Sequence, residues 1–241
     1  MYPNRKNLMS SNQPNIKVII PAFNEQNAVG LVLDEIPHSL VSEVIVVDNG
    51  STDNTCEIAQ SKGAIVLKEK TRGYGRACLK GMEYIASKPD DLPDIIVYLD
   101  GDHSDYPEEM GSLIEPIIQA DADLVIGSRA LGIKEKGSMT PQQIFGNWLA
   151  TTLIRIFYKE KYTDLGPFRA VKYSSLMAID MQDKTYGWTV EMQLKAAKKK
   201  MKVVEVPVNY RRRIGVSKVS GTVKGTILAG YKIILTIFKY I

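Results

Sequence analysis

At 241 residues, with 44% hydrophobic and 24% charged content, the chain can bury a full core and is neither disordered nor of low complexity. Its two cysteines, Cys56 and Cys78, both in helix-like segments, exclude a disulfide framework and a zinc cluster and point to a reducing compartment. The net charge of +4 divides unevenly: residues 1–120 carry 10 Lys+Arg against 18 Asp+Glu, residues 121–241 carry 21 against 9, so the second half is expected to meet an anion.

Residues 1–15 read as a loose polar tail without the apolar centre of a secretion signal. No later run approaches the ~18 apolar residues of a membrane span. "IKVIIP" predicts a first strand and "QNAVGLVLDEI" a helix. "EVIVVD" is a second strand, "STDNTCEIAQSKG" a helix ended by Gly63, "AIVLKE" a third strand and "GRACLKGMEYIASK" a third helix. "DIIVYLD" and "ADLVIGS" are two further strands separated by the helix "PEEMGSLIEPIIQ". Continuous apolar strands alternating with helices predict a doubly wound, mostly parallel α/β sheet covered on both faces. In such sheets ligands bind beyond the carboxyl ends of the strands. There the chain places "PAFNE", "DNGSTD", "KTRGYG", "DGDHSD" and "SR", five polar or glycine-bearing segments on one rim.

Asp100, Asp102 and Asp105 crowd three carboxylates into six positions, a repulsion that a cation or donors must offset. Asp100 and Asp102, at a strand end around the turn-permitting Gly101, suit Mg²⁺ or Mn²⁺, which leave positions open for phosphate oxygens. Asp105 and Ser104 read as caps of the helix that follows. Asp48 ends the second strand, where its carboxylate could accept from a base or ribose. Ser51 or Thr52 would cap the next helix, with Asp53 in its first turn. "TRGYGRA", with Arg72 and Gly73, reads as an anion cradle at a helix start.

Together these segments resemble family 2 glycosyltransferases of GT-A fold, and within them the dolichyl-phosphate mannose synthase-like group, over about residues 16–220. The resemblance implies a nucleotide pocket lined by Pro21, Phe23 and Glu25 of "PAFNE", with Asp48 of "DNGSTD" on the nucleobase. It makes "DGD" a DxD motif whose Asp100 and Asp102 hold metal and donor diphosphate, and turns Arg129 of "GSR" toward the phosphates. Arg213, Ser217 and Lys218 of "RIGVSK" would close over the donor. The chain departs from the group in two places. Ser104 stands where a glutamine is expected, and "LGPFRA" replaces "SGFRA", with Asp164 one residue nearer Arg169; Arg129 and Arg169 would meet the acceptor.

In the second half, "PQQIFGNWLATTLIRIFYKEKY" is apolar nearly all round, through Ile144, Phe145, Trp148, Leu149, Ile154, Ile156, Phe157 and Tyr158. It is either a core helix or one partly in lipid. In "SGTVKGTILAGYKIILTIFKYI", at ~100° per residue, Lys224, Lys232 and Lys239 fall within roughly an 80° arc. Val223, Ile227, Tyr231, Ile234, Phe238 and Ile241 share the adjoining face. That pattern fits an interfacial helix on an anionic membrane, or a helix packed on the sheet. The domain reading is therefore a tail over 1–15, a glycosyltransferase domain over 16–210, and a basic loop with an amphipathic helix over 211–241.

The expected activity is metal-dependent, inverting transfer of mannose or glucose from a GDP- or UDP-sugar to a polyprenyl phosphate. The expected location is the cytoplasmic membrane face, with or without a membrane partner subunit. An anionic phosphate acceptor requires no base; a soluble hydroxyl acceptor would, and Glu191 in "YGWTVEMQL" is then the candidate. A sugar-nucleotide pyrophosphorylase would carry a Gly-rich basic loop after the first strand, and "PAFNEQN" is not one. A non-catalytic module on nucleic acid or membrane leaves DxD unexplained, and no aromatic-basic RNA-binding signature supports a nucleic-acid partner.

Overall fold

The computed structural model describes residues 13–215 and 223–240. The five predicted apolar runs form β1 (Ile16–Ala22), β2 (Glu43–Asp48), β3 (Ile65–Lys68), β4 (Ile95–Tyr98) and β5 (Leu124–Ser128). Two more, β6 (Arg169–Lys172) and β7 (Val203–Pro207), complete a sheet in the order β3-β2-β1-β4-β6-β5-β7. Only β6 runs antiparallel, between β4 and β5, so the mostly parallel sheet is present. The antiparallel strand comes from "FRAVK", which carried no strand signal of its own. Asn15, assigned to the tail, already belongs to the domain, its amide donating to Asp94 at 2.8 Å.

Helices α1 (Val29–Glu35), α2 (Thr55–Ser61) and α4 (Met110–Ala120) cover one face. On the other lie α3 (Tyr74–Ala86), α5 (Pro141–Tyr158), α6 (Tyr173–Ile179), α7 (Trp188–Lys198) and α8 (Val223–Lys239). Along β1, Val18 and Ile20 enter the first layer and Ile19 the second, which is why the strand is apolar without alternation. α8 packs on α5 and α7: Ile237 is fully buried, Phe157 meets Phe238 edge-on at 5.4 Å, and the Tyr158 hydroxyl donates to the Ile237 carbonyl at 2.8 Å. Among the described residues no helix is long and apolar enough to cross a membrane.

Candidate active site

The carboxyl ends of β1, β2 and β4 lie side by side, with Ala22 in register with Asp48 and Ile19 with Tyr98. Residues just beyond each strand end therefore converge. Pro21, Phe23, Glu25, Asn49, Asp100 and Gly101 line a cavity of about 360 Å³, with Arg72, Gly73, Tyr74, Tyr186 and Arg213 closing it. Arg72 stacks 3.3 Å above the Phe23 ring and donates to the Gly50 carbonyl. Asp48 lies behind this wall, 4% exposed, its carboxylate accepting the Ser51 amide at 3.0 Å.

Asp102 is 3% exposed. Its Oδ1 accepts from the Ser104 amide at 2.9 Å and the Ser104 hydroxyl at 2.5 Å, and its Oδ2 pairs with the Arg213 guanidinium. Ser104, expected to cap a helix, instead holds a DxD carboxylate. Asp100 accepts from the Tyr74 hydroxyl at 3.0 Å; burial raises its pKa, against the pull of Arg213 and Tyr74. The turn does not use Gly101, whose φ is not positive, but His103, at φ 63°. Asp105 does not cap either: it is 2% exposed and neither carboxylate oxygen has a hydrogen-bond partner among the described residues. Burial, then the charge of Asp100, pushes its pKa up to about 8.

The segment after β7 lies along the DxD loop, the Arg211 amide donating to the Ser104 carbonyl and the Ile214 amide to that of Asp102. Extended chain alternates its side chains, so the three arginines divide. Arg211 reaches the carbonyls of His103 and Asp105 and pairs with Glu35, Arg213 reaches Asp102, and the Arg212 side chain turns away to the Lys136 carbonyl while its amide donates to Glu135.

A second cavity, of about 310 Å³, shares Tyr74, Asp100, Tyr186 and Arg213 with the first and runs on between α5 and α8. Arg129 lines it, clamped by Asp164 through Nε and Nη2, each at 2.7 Å. Burial alone would lower the Arg129 pKa, but the Asp164 carboxylate outweighs it and raises it. The same two helices carry large exposed apolar side chains: Ile144, Phe145, Trp148, Ile156 and Phe157 on α5, with Leu228, Tyr231, Leu235 and Phe238 on α8.

Residues 17–180 match the model of the family described as Glycosyl transferase family 2. The chain belongs to glycosyltransferase family 2. It is 33% identical to an undecaprenyl-phosphate mannosyltransferase of Micrococcus luteus, over 87% of this chain and 89% of that protein. It is 28% identical to a polyprenol monophosphomannose synthase of Mycolicibacterium smegmatis, over 85% of this chain and 81% of that protein. In fold it resembles glucosyl-3-phosphoglycerate synthase of Mycobacterium tuberculosis, with a TM-score of 0.72 at 21% identity over 94% of this chain and 78% of that one. Crystals of that synthase hold Mn²⁺, UDP and phosphoglyceric acid. The glycosyltransferase thus has the GT-A architecture expected of it.

Four expectations fail on the geometry. The start of α3 is no anion cradle: the Gly75 and Arg76 amides already donate to the carbonyls of Thr185 and Lys184. Gly73 and Gly75 admit that strand of backbone, since a Cβ would lie 2.2 Å from the Lys184 oxygen or 2.0 Å from that of Asp183. Arg169 cannot meet an acceptor, because it is fully buried with its guanidinium on the carbonyls of Leu165, Gly166 and Thr189. Glu191 cannot serve as a base. It is fully buried, accepts from the Gln182 and Asp183 amides and the Tyr240 hydroxyl, and pairs with Lys195. Ser51 accepts the Asn24 amide rather than capping α2.

On α8, Lys232 pairs with Asp183 at 2.9 Å, and among the described side chains of the expected lysine stripe Lys239 is the exposed one. Ser217, Lys218 and Ile241, and the side chains of Val223, Lys224 and Ile227, lie outside the described residues. The sequence reading passed over Tyr74, Asn49 and Arg211. Tyr74 stood within the quoted "TRGYG", and alternation along "YRRRI" would have separated Arg211 and Arg213 from Arg212.

Proposed function

We propose that this glycosyltransferase moves a mannosyl or glucosyl residue from a GDP- or UDP-sugar to a polyprenyl phosphate at an anionic membrane surface. The observation that carries the reading is the second cavity. It shares Asp100 and Arg213 with the donor cavity and is walled by α5 and α8, the two helices that carry the large exposed apolar side chains. A molecule with a phosphate head and an apolar body matches both ends. The kinship with two polyprenyl-phosphate enzymes supports the same choice.

The carboxylate pair fits Mg²⁺ or Mn²⁺. Asp102 already faces a cation, Arg213, and Asp100 stands on the cavity wall. No group of three or more His, Cys, Asp or Glu gathers among the described residues, so water and diphosphate oxygens would complete the shell. When bound, the metal supplies charge that stabilises the departing diphosphate. Were Asp102 to hold the metal, the Arg213 guanidinium would be free to meet phosphate, the role that the family resemblance also gives to Ser217 and Lys218. Tyr74 keeps Asp100 oriented and Ser104 keeps Asp102 oriented. The acceptor phosphate oxygen attacks the anomeric carbon as its bond to the diphosphate breaks, inverting the centre. That nucleophile is already an anion and requires no base. Consistently, Asp100 is the only carboxylate among the described residues lining the second cavity.

The deciding experiment offers labelled GDP-mannose and UDP-glucose, with Mn²⁺, against polyprenyl phosphate in vesicles and against soluble hydroxyl acceptors. Label is expected in the organic phase with the prenyl phosphate. Label confined to soluble glycosides would overturn the lipid acceptor.

A further inference from the structure

The two cavities share four lining side chains, Tyr74, Asp100, Tyr186 and Arg213. Three of them are engaged within the rim: Tyr74 donates to Asp100, and Arg213 pairs with Asp102. Tyr186 is different. It is 37% exposed, and among the described residues no hydrogen bond, ring or cation engages its side chain. Its backbone, by contrast, is fastened residue by residue. The Gln182 and Asp183 amides donate to the buried Glu191 carboxylate. The Asp183 carboxylate accepts the Thr185 and Gly187 amides at 2.7 and 3.1 Å and pairs with Lys232. The Lys184 and Thr185 carbonyls accept the Arg76 and Gly75 amides, and Gly73 and Gly75 leave room for them. A surface tyrosine on an ordinary loop requires no such mount. Here two carboxylates and two glycines hold in place a side chain that has no bond of its own.

The reaction decides what lies there. The carbon that changes partners is bonded to the diphosphate in one cavity and attacked from the other, so the transferred sugar lies along the wall that the two share. A hexopyranose presents a face of C–H groups and a rim of hydroxyls, and a tyrosine presents an apolar ring with one polar tip. Asp100 and Arg213 are charged and the Tyr74 hydroxyl is already donated, which leaves Tyr186 to offer a free hydroxyl beside an aromatic ring. We infer that Tyr186 contacts the transferred sugar and that its hydroxyl discriminates among hexoses. The inference rests on the donor and acceptor reading of the two cavities above, though not on which acceptor is used. A group that hydrogen-bonds one sugar hydroxyl rejects the epimer that leaves it unpaired, which an apolar wall does only weakly.

The test is the full-length chain carrying Tyr186→Phe or Tyr186→Ala, supplied with Mn²⁺, GDP-mannose, UDP-glucose and their epimers. Release of GDP or UDP is read with polyprenyl phosphate in vesicles and with soluble hydroxyl acceptors. In the Ala variant kcat/KM for the preferred donor should fall by about a hundredfold, while free GDP or UDP binds within about twofold of wild type by calorimetry, a split that general damage to the site would not give. The Phe variant should keep nucleotide affinity and melting temperature, and its preference for the favoured donor over the epimer should shrink by about tenfold, the scale of one hydrogen bond. If the Ala variant matches wild type, or loses free nucleoside diphosphate and nucleotide-sugar in equal proportion, Tyr186 does not meet the sugar. If the Phe variant keeps the wild-type donor preference, the hydroxyl does not discriminate, and this variant decides alone where the Ala variant fails to fold. A wild-type chain that uses neither GDP- nor UDP-sugars overturns the donor reading itself, which is a separate failure.

Discussion

The donor rim and the α5–α8 cleft are built on opposite terms. At the rim almost every polar side chain is held: Asp102 by Ser104 and Arg213, Asp100 by Tyr74, Arg129 by Asp164. On the two helices that wall the cleft, Phe145, Trp148, Tyr231 and Phe238 stand 50% or more exposed among the described residues. A preorganised polar site reorganises little when its ligand arrives. An uncovered apolar face stays incomplete until something else covers it. One active site therefore combines a half finished by the chain and a half finished by its surroundings.

The largest expected effect tests the unfinished half. Each of the four aromatic residues, half exposed in water, would gain about 1 kcal/mol on burial in lipid. Replacing all four with Ser should then lower vesicle partitioning on the order of a thousandfold. Sedimentation at two salt concentrations checks it, and unchanged partitioning would erase the contrast. Next, Asp102→Ala should lower Mn²⁺-dependent binding of the nucleotide-sugar by about a hundredfold, because a ligand is lost while Arg213 keeps no partner there. Calorimetry with and without Mn²⁺ reads this directly. Arg213→Ala sharpens the same half in both directions. Mn²⁺ alone should bind about tenfold more tightly, with Asp102 freed, while the donor binds about tenfold more weakly.

The smallest effect concerns Asp105. Its pKa is 3.8 in an unstructured chain and about 8 in the fold. Between these values the folded state keeps a proton that the unfolded state has released, so stability falls as pH rises from about 4 to about 8. Asp105→Asn should flatten this slope, with a melting-temperature advantage that is absent at pH 4 and grows toward pH 8. Parallel melting curves for the two proteins across that range would mean that the buried carboxyl is not raised.

Strand-end motifs were readable from the sequence because β1, β2 and β4 deliver Phe23, Asn49 and Asp100 to one edge by register alone. The failures share a different cause. Arg169 and Glu191 carry the residue types of a site, yet their partners are backbone groups at 165–166, 189 and 182–183 that no local pattern brings near. The glycines of "TRGYG" looked like a phosphate loop because the backbone that fills them arrives from residues 183–185. Asp105 passed for a cap, since its burial, at 2% exposed, is set by the tertiary fold rather than by its position before "YPEE". β6 was hidden because its four residues hold only two apolar side chains, Ala170 and Val171, between Arg169 and Lys172.

The bonds from Gly75 and Arg76 to Thr185 and Lys184 also bear on the order of assembly. They join residues about 110 positions apart, and closing a loop of that length costs entropy that only the finished sheet offsets. A folding chain can pair β1 to β4 early and still lack the wall that carries Tyr186. A complete cavity wall thus comes only with a long-range closure, and an intermediate halted before it would be structured yet inactive.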